Sequence, residues 1–474
     1  MQSNVLFTEP DAKRVQRTQA LSPTSLRPVL DQAISDIVYC SPGLLLDLVV
    51  RYGSPLHIVW PHSLVQNVEA LRTVLRTHDL RFEIFYGAKV NKSQALVRAA
   101  VMSGVGVDVS SVYELRDALR AGADPSKLCA TGPAKTGTFH AELIANGSLI
   151  SIDSVEEFSE LEECIRQSAP ARRVRVLLRY RPALSQASRF GMGPEDILLC
   201  LQRLTQLTTQ FAFEGFHFHV GGYAHETRAQ ALRELTPFVD TARGLGLEPG
   251  IIDIGGGLPI RYVDGDAYEA FLCEQGSSHY RNARVPESFY PYGGRLDACE
   301  WLNQLLESPC REGLSIARYL KAMDLALAIE PGRSLANQAA ISVFRITRVK
   351  PLAKGHHVIF VEGSSFSACE TWFASEFLVD PILVPAVAAG ETPGKPFRAY
   401  IAGHSCLDDD VITNRLIGFT RIPKAGDLLV YANTGGYQMD LLENEFHRHP
   451  MPRRIAVSCN AAGGIDVSPD DQRE

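Results

Sequence analysis

The sequence predicts a (β/α)8 barrel of the TIM type followed by an antiparallel β domain, a sandwich or a barrel. From Pro55 onward, short apolar strands alternate with amphipathic helices, a rhythm typical of a parallel sheet and, with eight strands, of a closed barrel. After Ala336 the pattern changes to β-rich segments separated by turns, which favours antiparallel pairing. A length of 474 residues also leaves room for two domains.

The predicted elements follow in chain order. Eight short apolar runs are the candidate barrel strands: Leu56–Val59, Glu83–Tyr86, Val105–Val109, Leu149–Ile152, Val174–Leu178, Phe213–His219, Ile251–Ile254 and Leu325–Ile329. Helical periodicity is clearest over Lys92–Ser103, Ser111–Ala121, Val155–Gln167 and Thr227–Leu245. The candidate strands of the second domain are Ile341–Val349, His357–Val361, Phe397–Ala402, Asp427–Tyr431 and Arg454–Cys459.

These elements predict three regions. Residues 1–45 form an arm and a helix, residues 46–335 form the barrel, and residues 336–474 form the β domain, to which the N-terminal segment contributes. An irregular stretch at 261–313 is expected to be an insertion between the last two barrel strands.

Composition narrows the class of protein. Hydrophobic residues make up 45% and charged residues 21%, as in an ordinary globular protein. A net charge of −7 argues against general nucleic-acid binding. No apolar run approaches the roughly 20 residues of a membrane span, and the N-terminus lacks the apolar core of a signal peptide. Ten scattered cysteines without a CxxC pair favour a reduced, cytoplasmic setting and no zinc site.

Lys89 is the first candidate for chemistry. It stands in Phe85-Tyr86-Gly87-Ala88-Lys89-Val90-Asn91, at the polar end of an apolar strand. A buried lysine is costly unless it is paired, neutralised or covalently engaged, and Schiff-base formation with a carbonyl cofactor would meet that need. The alternative is a lysine that extends from the strand end into solvent.

Two later strands end in loops suited to an anion. Ile251–Ile254 runs into Gly255, Gly256 and Gly257, and bare glycines let backbone amides approach a phosphate. The next strand ends in Glu330-Pro331-Gly332-Arg333, where Arg333 could clamp a phosphate. His217 and His219 end another strand on one face; without a third ligand nearby they do not predict a metal site.

In this order the motifs resemble the ornithine/diaminopimelate/arginine decarboxylase family, enzymes of alanine-racemase-like fold that depend on pyridoxal 5′-phosphate (PLP). The matching segments are Tyr86–Asn91, Val107–Ser111 with Glu114, Arg179, Ser188–Gly191, His219–Gly222, Gly255–Gly257, Glu330–Arg333, Cys406 with Asp410, and Gly435–Tyr437.

The resemblance implies a role for each residue. Lys89 would hold PLP as a Schiff base, Glu330 would contact the pyridine nitrogen, and His219 would stack on the ring. The phosphate would be held by Gly255, Gly256, Gly257, Gly332, Arg333 and Tyr437. The polar shell would consist of Asp108, Glu114 and Arg179. Cys406 of a partner subunit would return a proton after carbon dioxide leaves, which implies a homodimer with shared active sites.

Departures from the family pattern bear on the substrate. Gly222 stands where most relatives carry serine, so one phosphate hydrogen bond is missing or comes from backbone. Leu407 replaces a carboxylate that binds a distal ammonium. A rough alignment puts Glu370 and Ala374 at the arginine and tyrosine of the diaminopimelate signature.

The remaining candidate substrate contacts are Cys406, Asp408, Asp410 and Tyr437. The acidic run Asp408–Asp410 could recognise a cation or could simply be solvated. The predicted function is PLP-dependent decarboxylation of an amino acid or an amino-acid conjugate, neither plain ornithine nor diaminopimelate. Two alternatives stay open: a PLP-dependent racemase or epimerase, and a non-catalytic regulatory homologue.

Overall fold

The computed structural model describes residues 25–387, 397–459 and 464–470. Their contacts divide the chain into two compact units. The barrel unit comprises Leu64–Pro259 and Leu296–Ala336, and the β unit comprises the described residues up to Ser63, Ile260–Arg295 and those from Asn337 onward. This division differs from the predicted boundaries, because residues 46–63 and 260–295 group with the β unit.

The first strand, β1 (Leu56–Val59), was wrongly assigned to the barrel. It pairs antiparallel with the strand Ala340–Pro351 and parallel with the strand Arg453–Cys459. All four of its residues are buried. A short, fully buried strand has the same apolar sequence in either kind of sheet, so periodicity alone could not place it.

The barrel is closed by eight parallel strands, as predicted. They are β2 (Phe82–Gly87), β3 (Gly106–Val109), β4 (Leu128–Ala130), β5 (Leu149–Ile152), β6 (Val174–Arg179), β7 (Phe211–His217), β8 (Ile251–Asp253) and β9 (Ala326–Ile329). The sequence analysis missed β4, because three residues are too few to show a period. Strand side chains fill the barrel interior, among them Phe85, Cys129, Leu149, Leu177 and Ala328.

Twelve α-helices lie before and between the strands of the described chain. They are α1 (Gln32–Ser35), α2 (Pro42–Tyr52), α3 (Pro61–Thr77), α4 (Gln94–Met102), α5 (Val112–Arg120), α6 (Gly137–Asn146), α7 (Val155–Ser168), α8 (Pro194–Gln206), α9 (His225–Gly244), α10 (Gly265–Glu274), α11 (Ala298–Glu307) and α12 (Ile316–Ala322). Serine caps fix several starts: the hydroxyls of Ser93, Ser111 and Ser154 accept backbone N–H groups of α4, α5 and α7. The strand ends and helix starts therefore meet at one edge of the barrel.

The β unit contains a mixed, mainly antiparallel sheet. Besides β1, its strands are β10 (Ala340–Pro351), β11 (His357–Val361), β12 (Ile382–Val384), β13 (Phe397–Ala402), β14 (Val411–Phe419), β15 (Leu428–Ala432), β16 (Arg453–Cys459) and β17 (Ile465–Pro469). The predicted antiparallel character is confirmed, with parallel exceptions at β1–β16 and β11–β13. The prediction lacked β12, β14 and β17.

The N-terminal helices belong to the core of the β unit. Ile34, Val38, Leu45 and Leu48 are buried and pack with Leu56 and other strand residues. No single helix in the described ranges is long and apolar enough to cross a membrane. The helical pair Gln32–Cys40 and Pro42–Tyr52 reaches that length and composition only together, and it is bent by 89°.

Candidate active site

Lys89 lies just beyond β2, in a short 3-10 turn. Its Nζ donates to Asp108 Oδ2 at 3.0 Å, and the other oxygen of that carboxylate accepts from Thr131 Oγ1 at 2.6 Å. Asp108 is fully buried, whereas the Lys89 side chain is 36% exposed. The premise of a buried lysine was therefore wrong: an ion pair positions the amine, and solvent reaches it.

A second cluster surrounds Glu330, directly after β9. Glu330 is 3% exposed, and its Oε1 lies 3.5 Å from His217 Nε2. His217 ends β7 and shares a hydrogen bond of 2.7 Å with Ser151 Oγ through Nδ1. Asp253, the last residue of β8, accepts from the Gly255 amide at 2.8 Å. The ends of the neighbouring strands β7, β8 and β9 thus bring the side chains of His217, Asp253 and Glu330 close together.

The buried surroundings of this cluster shift the pKa values of its side chains strongly. Burial, followed by the negative charges of Asp108 and Asp253, raises the pKa of Glu330 well above its ordinary value. Burial raises the pKa of Asp253 to about 7, and burial lowers the pKa of His217, so its imidazole is neutral. In the described chain no lysine or arginine forms an ion pair with Glu330. A cation from a bound group would stabilise the ionised carboxylate.

The same cluster contains a candidate set of metal ligands. Ligand atoms of Cys129, Asp253 and Glu330 lie within 4.8 Å of one another, and all three residues are buried. The thiol belongs to β4, the strand that the sequence analysis missed. Burial raises the pKa of Cys129 well above its ordinary value, which disfavours the thiolate that metals require.

The glycine loop after β8 can only be made of glycine. Gly255 and Gly257 have φ of +69° and +85°, the left-handed region. A Cβ on Gly255 would lie 2.5 Å from His219 Nδ1, and one on Gly257 would lie 2.1 Å from Arg228 Nη2. The His219 Nδ1 accepts from the Gly256 amide at 3.2 Å, so the ring is fixed against the loop. Burial lowers the pKa of His219, consistent with a neutral acceptor.

A second glycine loop follows Glu330 and meets the turn that carries Lys89. The Gly87 amide donates to Pro331 O at 3.4 Å. A Cβ on Gly332 would lie 3.2 Å from Val90 Cβ, so a side chain there would press on the turn. Arg333, next in sequence, is 8% exposed. The two loops that were expected to hold a phosphate therefore lie at the end of the barrel that carries the lysine.

Arg179 and Glu114 are held by partners of their own. The Arg179 Nη1 donates to Asp153 Oδ1 at 2.7 Å, and its guanidinium lies 4.6 Å from the Phe190 ring centroid. Glu114 Oε2 accepts from the Ser110 amide at 2.6 Å. Burial raises the pKa of Glu114. These two residues hold backbone and loops in place around the strand ends.

Gly222 differs from the serine of related enzymes. Its φ is +78°, and a Cβ at this position would meet no atom within 4 Å. A side chain would therefore fit in space but would strain the backbone. The backbone conformation at this position therefore favours glycine.

The β unit carries the predicted proton donor on an exposed loop. Cys406 is exposed and Leu407 is 40% exposed. Asp408 and Asp409 are also exposed and pair with Arg281, at 3.6 and 2.9 Å. The acidic run is thus partly neutralised by an arginine of its own unit.

Asp410, predicted as a substrate contact, is buried and hydrogen-bonded within the β unit. It is 2% exposed, and Oδ1 accepts from the Ser365 amide and hydroxyl at 2.6 and 2.8 Å. Oδ2 accepts from the Ser405 amide at 2.9 Å. A carboxylate with its oxygens committed in this way fixes the Cys406 loop and is not accessible to a substrate cation.

Glu370 lies in another polar group of the β unit. One of its oxygens accepts from the Tyr292 hydroxyl and the other from the Gln438 side-chain amide. The neighbouring Tyr437 has a left-handed φ of +79°. These two hydrogen bonds orient the Glu370 carboxylate.

Several functional residues escaped the sequence analysis. Thr131, Ser151, Asp153 and Asp253 end barrel strands or follow them closely. The rule that barrel sites form at the carboxyl ends of strands would have found them. Arg228 gave no such signal, because an arginine on an amphipathic helix is usually solvated.

A scan against family models supports this site chemistry. Residues 62–283 match the model described as "Pyridoxal-dependent decarboxylase, pyridoxal binding domain". Lys89, His219 and the glycine loop after β8 fall inside the matched range. The buried Glu330, which pairs with no lysine or arginine among the described residues, and the glycine loops suit a cofactor with a cationic ring and an anionic phosphate.

Curated relatives match nearly the full length of the chain. An uncharacterized protein of Sinorhizobium fredii, y4yA, is 56% identical over 446 residues, covering 94% of this chain and 96% of that protein. A diaminopimelate decarboxylase of Zymomonas mobilis is 25% identical over 461 residues, covering 90% and 95%. The similarity therefore extends through both units.

Solved structures share the fold. Diaminopimelate decarboxylase from M. jannaschii, in complex with L-lysine, aligns with a TM-score of 0.69 at 19% identity over 91% of this chain and 92% of that one. The arginine decarboxylase of Paramecium bursaria Chlorella virus aligns with a TM-score of 0.65 at 17% identity, over 88% and 99%. With these matches beside the barrel site, the chain belongs to the ornithine/diaminopimelate/arginine decarboxylase family and is a PLP-dependent amino-acid decarboxylase.

Proposed function

We propose that this enzyme decarboxylates a modified or conjugated amino acid at a site completed by Cys406 of a second copy. The observation that carries the proposal is the buried Glu330 carboxyl at the end of the barrel that carries Lys89, where no lysine or arginine of the described ranges pairs with it. When bound there, PLP supplies an aldehyde for an amine and a ring that accepts the electron pair released with carbon dioxide.

Lys89 is proposed as the attachment point for that aldehyde. The Asp108 carboxylate at 3.0 Å holds the amine in place and gives it a partner when it is protonated. Because the Lys89 side chain is partly exposed, an incoming substrate amine would have access to the same position. Glu114 and Arg179 brace the surrounding loops through their own bonds.

Glu330 is proposed to keep the ring nitrogen protonated. Burial raises the pKa of Glu330, so its ionised form is unfavourable without a nearby cation, and a protonated ring nitrogen would supply one. His219, fixed by the Gly256 amide, would lie on the ring face. The phosphate would be held by Gly222, Gly255, Gly256, Gly257, Gly332, Arg333 and Tyr437.

Cys406 is proposed to deliver its thiol proton to the carbon that lost carbon dioxide. A thiol is a workable general acid near neutral pH. Its exposed loop is compatible with a role completed by another subunit, as the family resemblance implies. Asp410 holds that loop in place through its hydrogen bond with the Ser405 amide, and it is not proposed to transfer a proton.

The substrate proposal rests on Leu407 and Glu370. A leucine cannot bind the distal ammonium of a plain diamino acid, and Glu370, which the family resemblance aligns with an arginine, cannot offer a cation to a distal carboxylate such as that of diaminopimelate. A distal group bearing neutral hydrogen-bond donors fits both residues. We therefore expect an acylated or otherwise conjugated amino acid, with Asp408 and Glu370 near its distal end.

The test is a screen of PLP-loaded protein for carbon dioxide release. The panel contains free ornithine, lysine, arginine and diaminopimelate beside conjugates of each on the distal nitrogen. The proposal expects a conjugate to exceed its free parent by at least about tenfold in kcat/KM. Faster turnover of free diaminopimelate or ornithine would overturn the substrate assignment.

Chiral analysis of the recovered amino acid separates decarboxylation from racemisation. The proposal expects loss of carboxylate with each turnover. Inversion of the α-carbon without carbon dioxide release would favour a racemase instead.

Subunit mixing tests the shared site. Lys89→Ala and Cys406→Ala variants are combined under conditions that exchange subunits. Half of the random dimers are mixed, and each has one intact site of two, so about a quarter of wild-type activity should return. Confirmed exchange without recovery would show that each site uses residues of one chain.

A further inference from the structure

We propose that Arg228 is the buried counter-charge for the cofactor phosphate and the residue that turns two loop amides toward it. Arg228 lies in the first turn of α9, which begins at His225. It is completely buried. The inference rests on the proposed placement of the phosphate at the glycine loop after β8.

The contacts of Arg228 join two loops of the barrel unit. Its Nη2 donates to Val220 O at 2.7 Å and to Gly256 O at 3.2 Å. The first acceptor belongs to the loop after His219 and the second to the glycine loop. One guanidinium therefore fixes the separation of both loops.

These two bonds also orient the amides on the other side of each peptide. In a trans peptide the C=O and the following N–H point in opposite directions. Because the Val220 and Gly256 carbonyls face Arg228, the Gly221 and Gly257 amides face away from it. In the described part of the chain neither amide has an acceptor. Two backbone amides that lack an acceptor and lie near a buried cation can together bind an anion.

The charge of Arg228 is not balanced by protein. Among the residues that the structure describes, no carboxylate forms an ion pair with it, and its Nε has no hydrogen-bond partner. Its guanidinium lies 5.4 Å from the Trp301 ring centroid, which shields it from water. Burial lowers its pKa to about 10, so it is still charged at neutral pH.

A buried, unpaired cation at the positive end of a 20-residue helix is unfavourable by itself. A bound phosphate dianion would remove that cost. The loop that contains Gly222 has no serine hydroxyl to offer the phosphate, but its Val220 carbonyl contacts the buried Arg228, which would supply a positive charge. Arg228 is a positioning residue, since its nitrogens contact backbone.

The experiment compares PLP with pyridoxal, which lacks the phosphate. Apparent dissociation constants of both are measured on cofactor-free wild type, Arg228→Gln, Arg228→Met and Arg228→Lys. Removing the charge should weaken PLP binding by about 10- to 100-fold and change pyridoxal binding by less than about threefold. The lysine variant should keep most of the preference for PLP.

Arg175→Gln is the matched control. This arginine lies on β6 and pairs with Glu214, near the N-terminal end of the barrel strands. Its loss should lower the thermal midpoint without changing the ratio of the two dissociation constants. A folded Arg228→Gln or Arg228→Met protein with the wild-type ratio would overturn the inference, as would equal loss of PLP and pyridoxal.

Should neither charge-removal variant fold, inorganic phosphate on cofactor-free wild type decides. The inference expects a higher thermal midpoint with millimolar phosphate and competition with PLP. Wild type that binds PLP but gains nothing from phosphate would overturn it. These readouts are separate from carbon dioxide release, so a failed substrate assignment would not be mistaken for a failed role of Arg228.

Discussion

The barrel end and the Cys406 loop differ in how far their proposed functional groups are exposed to solvent. At the barrel end, Asp108, His217 and Glu330 are almost completely buried and lie at the ends of strands. On the loop of the β unit, Cys406 and Leu407 are exposed. Buried polar groups must be satisfied by fixed partners, whereas exposed loop residues can change without unfolding the protein. We therefore expect the barrel end to fix the cofactor chemistry and the loop to influence substrate choice.

The largest effect is expected from Lys89→Ala. Loss of the amine should reduce carbon dioxide release by at least about 10⁴-fold, because the covalent attachment is lost. The visible absorption of lysine-bound cofactor should disappear together with activity. Absorption spectra and turnover are measured on the same sample.

Lys92→Ala is the control, since Lys92 is an exposed lysine three positions away. It should retain both absorption and turnover. If Lys89→Ala kept turnover, the covalent role would be refuted and the barrel end would lose its central residue.

Cys406→Ala should have the next largest effect. Removing a general acid lowers rates by about 10²- to 10⁴-fold, but the cofactor should stay bound, because its proposed binding groups lie elsewhere. Cys273→Ala, which removes another exposed thiol of the β unit, should leave kcat unchanged. Loss of cofactor from Cys406→Ala would contradict the division between cofactor and substrate chemistry.

Much of the barrel site follows from the sequence because buried strand ends leave a clear pattern. Lys89, the Gly255–Gly257 loop and Glu330 each end an apolar run, and the structure brings them to one end of the barrel. Asp153 was missed because an ion pair between separate segments leaves no local signal, and Arg228 was missed because an arginine on an amphipathic helix is usually solvated. β1 was misplaced because a fully buried strand has the same sequence in either sheet. The burial of Asp410 was not foreseen, because an acidic run does not reveal which carboxylate points inward.

Glu330→Gln should lower kcat by about 10²-fold, the scale of one lost electrostatic contact. It should also stabilise the cofactor-free protein. Folding raises the pKa of Glu330, so its contribution to stability is complete below the unfolded pKa of about 4.3 and is lost as pH rises through the folded pKa. Gln does not ionise and keeps its contribution at neutral pH.

Thermal midpoints of cofactor-free protein test this from pH 5 to 8. The variant should gain on wild type as the pH rises, by a few degrees at the upper end. Bound PLP should narrow the gap, because it provides the cation that Glu330 lacks. A gap that closes with rising pH would show that the carboxylate already has a partner within the protein.

The smallest effect on catalysis is expected from substitutions in the acidic run. Comparing Asp410→Asn with Asp408→Asn distinguishes a buried, hydrogen-bonded carboxylate from an exposed one. Asp410 accepts three hydrogen bonds that fix the Cys406 loop, and an amide cannot accept at both positions. Asp410→Asn should therefore lose about 2–3 kcal/mol of stability. Asp408→Asn should change stability by less than about 0.5 kcal/mol, because its side chain is 99% exposed. Denaturant unfolding measures both. An Asp410→Asn protein of unchanged stability with altered substrate preference would place this carboxylate in the substrate site, and the loop would then be as tightly built for chemistry as the barrel end.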